Sequence, residues 1–83
     1  MIYKTKERSF YKKGRKFLKI NKTEHKLLIS LSGNCVVSRK ELEEYLGKRS
    51  VIRIVSNFKK KTGLHIKTKI GSGYILKEEL YFE

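Results

Sequence analysis

Apolar positions recur along this chain with two different periods. Between residues 2 and 20 they alternate. Ser9-Phe10-Tyr11-Lys12 and Lys16-Phe17-Leu18-Lys19-Ile20 flank Lys13-Gly14-Arg15. That pattern predicts a β-hairpin or small sheet, with glycine supplying the positive φ of the turn. Ile2-Tyr3 predicts the start of a further strand. From Asn21 onward the period lengthens to that of a helix. Leu27, Leu28 and Leu31 share one face, and Asn21 with Glu24 three residues later has capping-box spacing. Gly33-Asn34 supplies a stop. Val36-Val37 is long enough only for a brief strand or extended link. Ser38 opens a second helix by the same grammar, with Glu41 at its third position, Leu42, Tyr45 and Leu46 expected inward, and Gly47 at its end.

The third helical segment is the most informative. It is predicted from about Arg49-Ser50 to Lys61, closed by Gly63. Arg49, Arg53, Ser56 and Lys60 fall at i, i+4, i+7 and i+11, while Val51, Ile54, Val55 and Phe58 interleave with them. At about 100° per residue, one side becomes polar and cationic and the other apolar. Alternation then returns. Ile66-Lys67-Thr68-Lys69-Ile70 and Tyr74-Ile75-Leu76 are joined by Gly71-Ser72-Gly73, the pattern of a hairpin. Lys67 and Lys69 are expected on one side of its first strand, opposite Ile66, Thr68 and Ile70, and Tyr74 is expected to point inward. For Leu80-Tyr81-Phe82 three placements fit: against the core, over the N-terminal sheet, or against another subunit.

The predicted fold class is therefore α+β, as one domain over residues 1–83. It comprises an N-terminal β region (1–20), three helices (21–63), a C-terminal hairpin (64–77) and a tail (78–83). At 83 residues such a chain buries only a modest core.

Charge changes the picture. The formal net charge is +13. Residues 1–22 carry a net +8 and residues 48–70 another +8, while 23–47 and 71–83 are slightly acidic. Two concentrated cationic segments point to a polyanionic partner more than to a solubility coat. Lys59, Lys60 and Lys61 complement the negative end of the third helix. Arg53 at mid-helix and Arg49 at the positive end have no such explanation. No apolar run is long enough to span a bilayer, and no secretion-signal pattern opens the chain, so no membrane partner is expected. The single Cys35 forms no internal disulfide, which suits a cytoplasmic protein.

No catalytic constellation is apparent. Aspartate is absent, and His25, His65 and Cys35 lack metal-ligand spacing. Gly71-Ser72-Gly73 lacks the rest of a phosphate-binding loop. Neither enzymatic activity nor a cofactor is expected.

Four stretches resemble the OmpR/PhoB-type winged helix-turn-helix DNA-binding domains. Ile20-Asn21-Lys22-Thr23-Glu24-His25-Lys26-Leu27-Leu28 is similar to their first-helix signature, L-T-x-x-E-x-x-L-L. Val36-Val37-Ser38-Arg39-Lys40-Glu41-Leu42 is similar to V-V-S-R-E-E-L. Val51 through Lys61 is similar to the recognition helix V-D-V-H-I-S-R-L-R-K-K, with Phe58 in the leucine slot and Lys59 in an arginine slot. Thr68 and Gly71-Ser72-Gly73-Tyr74 match the wing signature T-x-x-G-x-G-Y. The resemblance spans about residues 16–77. It implies a winged helix that binds double-stranded DNA as a small transcriptional regulator. It also implies pairing, as a homodimer or in tandem on repeated sites. No receiver domain precedes the motifs, so a stand-alone protein is expected. Only Gly47-Lys48-Arg49 separates Leu46 from Ser50, where the family's longer loop meets RNA polymerase. That truncation disfavours a polymerase contact and favours repression. Ile70 stands where the family's wing arginine would be, and Ile52 where it has an acidic residue.

Roles can be assigned by residue chemistry. Arg53, Ser56, Asn57 and Lys60 are the expected base readers. Arginine pairs with guanine O6 and N7, and asparagine with adenine N6 and N7. Lys48, Arg49, Lys59, Lys61, Ser38 and Arg39 are expected at phosphates, with Ser38 first of all a helix cap. Lys67, Lys69, Gly71, Ser72 and Gly73 form the expected wing contact with backbone or minor groove. Two rival readings remain: a mobile-element protein marking a replication or conjugative transfer origin, and an RNA-binding or ribosome-associated protein. The latter would use Phe10, Tyr11 and Phe17.

Overall fold

Both periodicities produce the elements they imply. A computed structural model describes residues 1–33, 35–47 and 50–83. Strands β1 (Ile2–Lys4), β2 (Ser9–Lys12) and β3 (Arg15–Lys19) precede helices α1 (Lys22–Leu31), α2 (Arg39–Leu46) and α3 (Val51–Thr62). Strands β4 (Ile66–Lys69), β5 (Gly73–Leu76) and β6 (Tyr81–Phe82) follow. The architecture is α+β, with three helices and two small sheets. No helix among the described residues is long and apolar enough to cross a membrane.

The N-terminal sheet has strand order β3-β2-β1-β6. The tail thus covers the edge of the N-terminal sheet, one of its three possible placements, and it does so by strand pairing. Tyr81 and Phe82 run parallel to Ile2 and Tyr3, and the Glu83 amide donates to the Tyr3 carbonyl at 2.8 Å. Register places Phe82, Tyr3, Phe10 and Leu18 in one row. Tyr3 and Phe10 are fully buried, with ring centroids 4.8 Å apart.

The Tyr3 hydroxyl shares a 2.6 Å hydrogen bond with His25 Nδ1, tying the sheet to α1. Burial pushes the Tyr3 hydroxyl up to about 12 from its ordinary 10.0, partly offset by the Arg8 cation. The folded chain therefore keeps this proton to higher pH than the unfolded chain. The stability it contributes is intact below pH 10 and is lost as pH rises through about 12. Urea midpoints measured across that window should fall more steeply for the native chain than for Tyr3→Phe. Parallel profiles would show that Tyr3 keeps no such proton.

The helices end where their capping residues dictate. The Asn21 side chain accepts from the Glu24 amide at 2.8 Å, and the Glu24 carboxylate accepts from the Asn21 amide at 3.0 Å. Ser38 accepts from the Glu41 amide at 3.1 Å. Gly47 and Gly63 close α2 and α3 in the left-handed conformation. Helix α3 begins at Val51, slightly later than the spacing predicts, and Ser50 makes no side-chain cap bond. The predicted stop at Asn34 and the sites at Lys48 and Arg49 lie outside the described residues.

One core gathers all three helices and the second hairpin. Leu27, Leu28 and Leu31 of α1 meet Leu42 and Leu46 of α2, and Val51, Val55 and Phe58 of α3. Leu64, Ile66, Tyr74 and Leu76 close it, and Leu80 packs against it. One inward assignment fails, and one predicted strand ends a residue early. Tyr45 is 51% exposed: Leu42 and Leu46 at i, i+4 fill the contact of this two-turn helix, leaving Tyr45 at its rim. Ile70 is 99% exposed, because β4 ends at Lys69 and strand alternation does not continue into the turn.

Candidate nucleic-acid interface

Val51, Val55, Phe58 and Thr62 are the buried residues of α3, and Ile54 packs partly against the core. This anchoring fixes the opposite arc, where Arg53, Ser56, Asn57 and Lys60 are all exposed together. The residues brought together include the four assigned to base reading. No acidic residue occurs in α3. The arc therefore offers a guanidinium, an amide, a hydroxyl and an ammonium within two to three turns, with no carboxylate of the same helix to compete for them.

Different elements border the two sides of this arc. On one side, Arg53, Ile54 and Asn57 face Asn21, Thr23 and Glu24 at the start of α1 across an open depression. On the other, Ile52, Ser56, Lys59 and Lys60 face Thr68 and Tyr74 across a groove. That groove continues past Ser38 and Arg39 to the turn of the β4–β5 hairpin. Helix, α2 start and hairpin thus form one continuous surface.

Two basic residues assigned to phosphates have partners within the fold. Lys61 Nζ lies 3.0 Å from a Glu24 carboxylate oxygen, so its charge is directed toward α1 instead of outward along the arc. Its position, about 80° round α3 from Arg53, explains why. Arg39 pairs with Glu43 at 3.4 Å in an exposed i, i+4 contact, which is weak enough to exchange for a phosphate. Lys59 remains exposed beside the groove. Ser38 serves as a cap, as its spacing from Glu41 predicts.

The hairpin is held in position by a close backbone approach. Val37 and Tyr74 exchange backbone hydrogen bonds of 2.8 and 2.9 Å, so the residue before the Ser38 cap is joined to β5. Gly73, next to Tyr74, has φ +132°. A Cβ there would collide with the Val37 carbonyl oxygen and stand 2.7 Å from Ser38 Cα. Gly73 is thus required by the chain's own packing. Gly71, at φ +76° with open space around it, meets the needs of the turn and lines the end of the groove. Lys67 and Lys69 are exposed on β4 and share one face by its period of two, while Thr68 lines the groove toward α3.

Sequence reasoning gives Ile52 no role in the site. It is 59% exposed and lines the groove beside Ser56 and Thr68. Its signal is the departure from the polar pattern: a large apolar side chain on the outer half of an amphipathic helix. Such a group can pack on a thymine methyl. Thr68, on the strand face opposite Lys67 and Lys69, stands exposed in the same groove.

No family model, curated protein or solved structure matches the chain.

Proposed function

We propose that this chain is a winged helix-turn-helix protein of OmpR/PhoB-like type that binds specific sites in double-stranded DNA. In this reading α3 enters the major groove, Arg53, Asn57, Ser56 and Lys60 meet base edges, and the β4–β5 hairpin is the wing. The observation that carries it is the acid-free outer arc of α3, held outward by the buried Val51, Val55 and Phe58 and flanked by a lysine-bearing hairpin. Lys59 and Arg39 would hold phosphates at the rim. Lys61 contributes less than its sequence position implies, because Glu24 already neutralises it.

Repression, or marking a replication or transfer origin, fits better than activation, since so few residues separate Leu46 from Ser50. The RNA-binding alternative loses much of its basis. Phe10 is fully buried and unavailable for stacking. The Tyr11 ring has the Lys4 ammonium 4.5 Å from its centroid, and its hydroxyl donates to Glu7. Phe17 alone of those three is substantially open.

Competition between a selected duplex DNA and a structured RNA of equal length tests the reading. Duplex DNA should win, and its affinity should fall with salt at a log–log slope of about −5 if about six phosphates are neutralised. Preference for RNA, or a slope shallower than about −2, would contradict it.

A further inference from the structure

The basic residues of segment 1–22 line none of the α3 surface described above, although the segment's net charge equals that of segment 48–70. Four of its basic residues, Lys12, Lys13, Arg15 and Lys16, crowd the turn between β2 and β3, and all are exposed. Register shows that this turn projects. Ile2, the first residue of β1, stands opposite Tyr11, so the Lys12–Arg15 pair lies one row beyond β1. Farther out, Lys13 and Gly14 have φ of 52° and 77°, a two-residue turn of type I′. Asparagine, aspartate or glycine is the usual first residue of such a turn. A lysine there carries a conformational cost, and among the described residues its side chain makes no ion pair. Among the described residues the other three make none either. Glu7, the single acid of the segment, is hydrogen bonded by the Tyr11 hydroxyl at 3.0–3.1 Å.

We infer that the β2–β3 tip is a second nucleic-acid site, one that grips phosphate backbone without reading sequence. It rests on the DNA-binding reading for the identity of its polyanion. The backbone is supplied either by the flank of the duplex seated on α3 or by a second duplex. Four cations without internal partners over five positions suit repeated phosphates, which need charge and reach but no fixed donor geometry.

The test uses the full chain and two variants of equal charge change. One is Lys12→Gln/Arg15→Gln/Lys16→Gln. The other, a control, is Lys6→Gln/Lys26→Gln/Lys77→Gln, whose three lysines lie away from the β2–β3 tip. Salt-dependent affinity is measured on a selected duplex in short and long versions. Capture of a free labelled duplex by a bead-bound one is measured in parallel. The tip variant should lower the magnitude of the log–log slope by about 0.9 for each phosphate it no longer neutralises, and the control by much less. Loss confined to the long duplex identifies the same duplex as the source. Loss confined to capture identifies a second one. Equal effects of the two variants, or no change in either assay, would overturn the inference. Arg53→Ala, scored by sequence preference, reports separately on α3. It can fail to act while the tip variant still does.

Discussion

Gly73→Ala is expected to destabilise the fold by about 2–4 kcal/mol, enough to leave so small a domain largely unfolded at physiological temperature. Two independent costs meet at this position. Its φ of +132° is one that side-chain-bearing residues rarely adopt, and the added Cβ would collide with backbone atoms of Val37 and Ser38. A flexible side chain could give way, but the Val37 carbonyl cannot without breaking its bond to the Tyr74 amide at 2.9 Å. That bond also aligns the hairpin with the start of α2, so relief of the clash would shift the two relative to each other. Gly71→Ala provides the comparison. Its φ of +76° imposes a conformational cost of about 1 kcal/mol, with no atom within 4 Å of the new methyl. Thermal denaturation should show Gly73→Ala melting at least about 10 °C below the native chain and Gly71→Ala only a few degrees below it. Equal shifts would mean that the approach to Val37 is not a constraint.

Arg53→Ala should remove sequence discrimination more than it removes binding. Arg53 stands exposed near the middle of the outer arc, one helical turn before Asn57 and beside Ser56. A bidentate pair with guanine is worth about 1–3 kcal/mol of preference over the wrong base, a factor of about 5 to 150. Binding to a selected site should fall by that factor while binding to random duplex falls only slightly. Lys69→Ala, in the hairpin, should weaken both alike and reduce the salt slope by about 1. Measured side by side on the selected and random duplexes, the two variants separate base reading from backbone contact. If both altered only the non-specific affinity, α3 would have no reading role.

Much of this surface could be anticipated from local chemistry. The Asn21–Glu24 pairing, the glycine stops at 47 and 63 and the stripe of Val51, Val55 and Phe58 depend on neighbours within a few residues, and each appears in the structure. What escaped depends on contacts distant in sequence. The parallel pairing of Tyr81 with Ile2 joins the two ends of the chain, and no local pattern encodes it. Lys61 reads as a helix-end lysine aimed at phosphate, yet its partner Glu24 stands 37 positions away. Gly73 reads as a turn glycine, whereas its need arises from Val37 on another segment. Ile70 illustrates the opposite error: the alternating pattern of the sequence runs one residue past the end of the strand.

Guanine N7 lies only in the major groove, so its reactivity toward dimethyl sulfate on a selected duplex reports directly on where α3 sits. With Arg53 at a guanine, the native chain should protect at least one N7, and Arg53→Ala should restore its reactivity while Lys69→Ala leaves it protected. Unchanged N7 reactivity under saturating protein, or protection that survives Arg53→Ala, would contradict placement of this helix in the major groove.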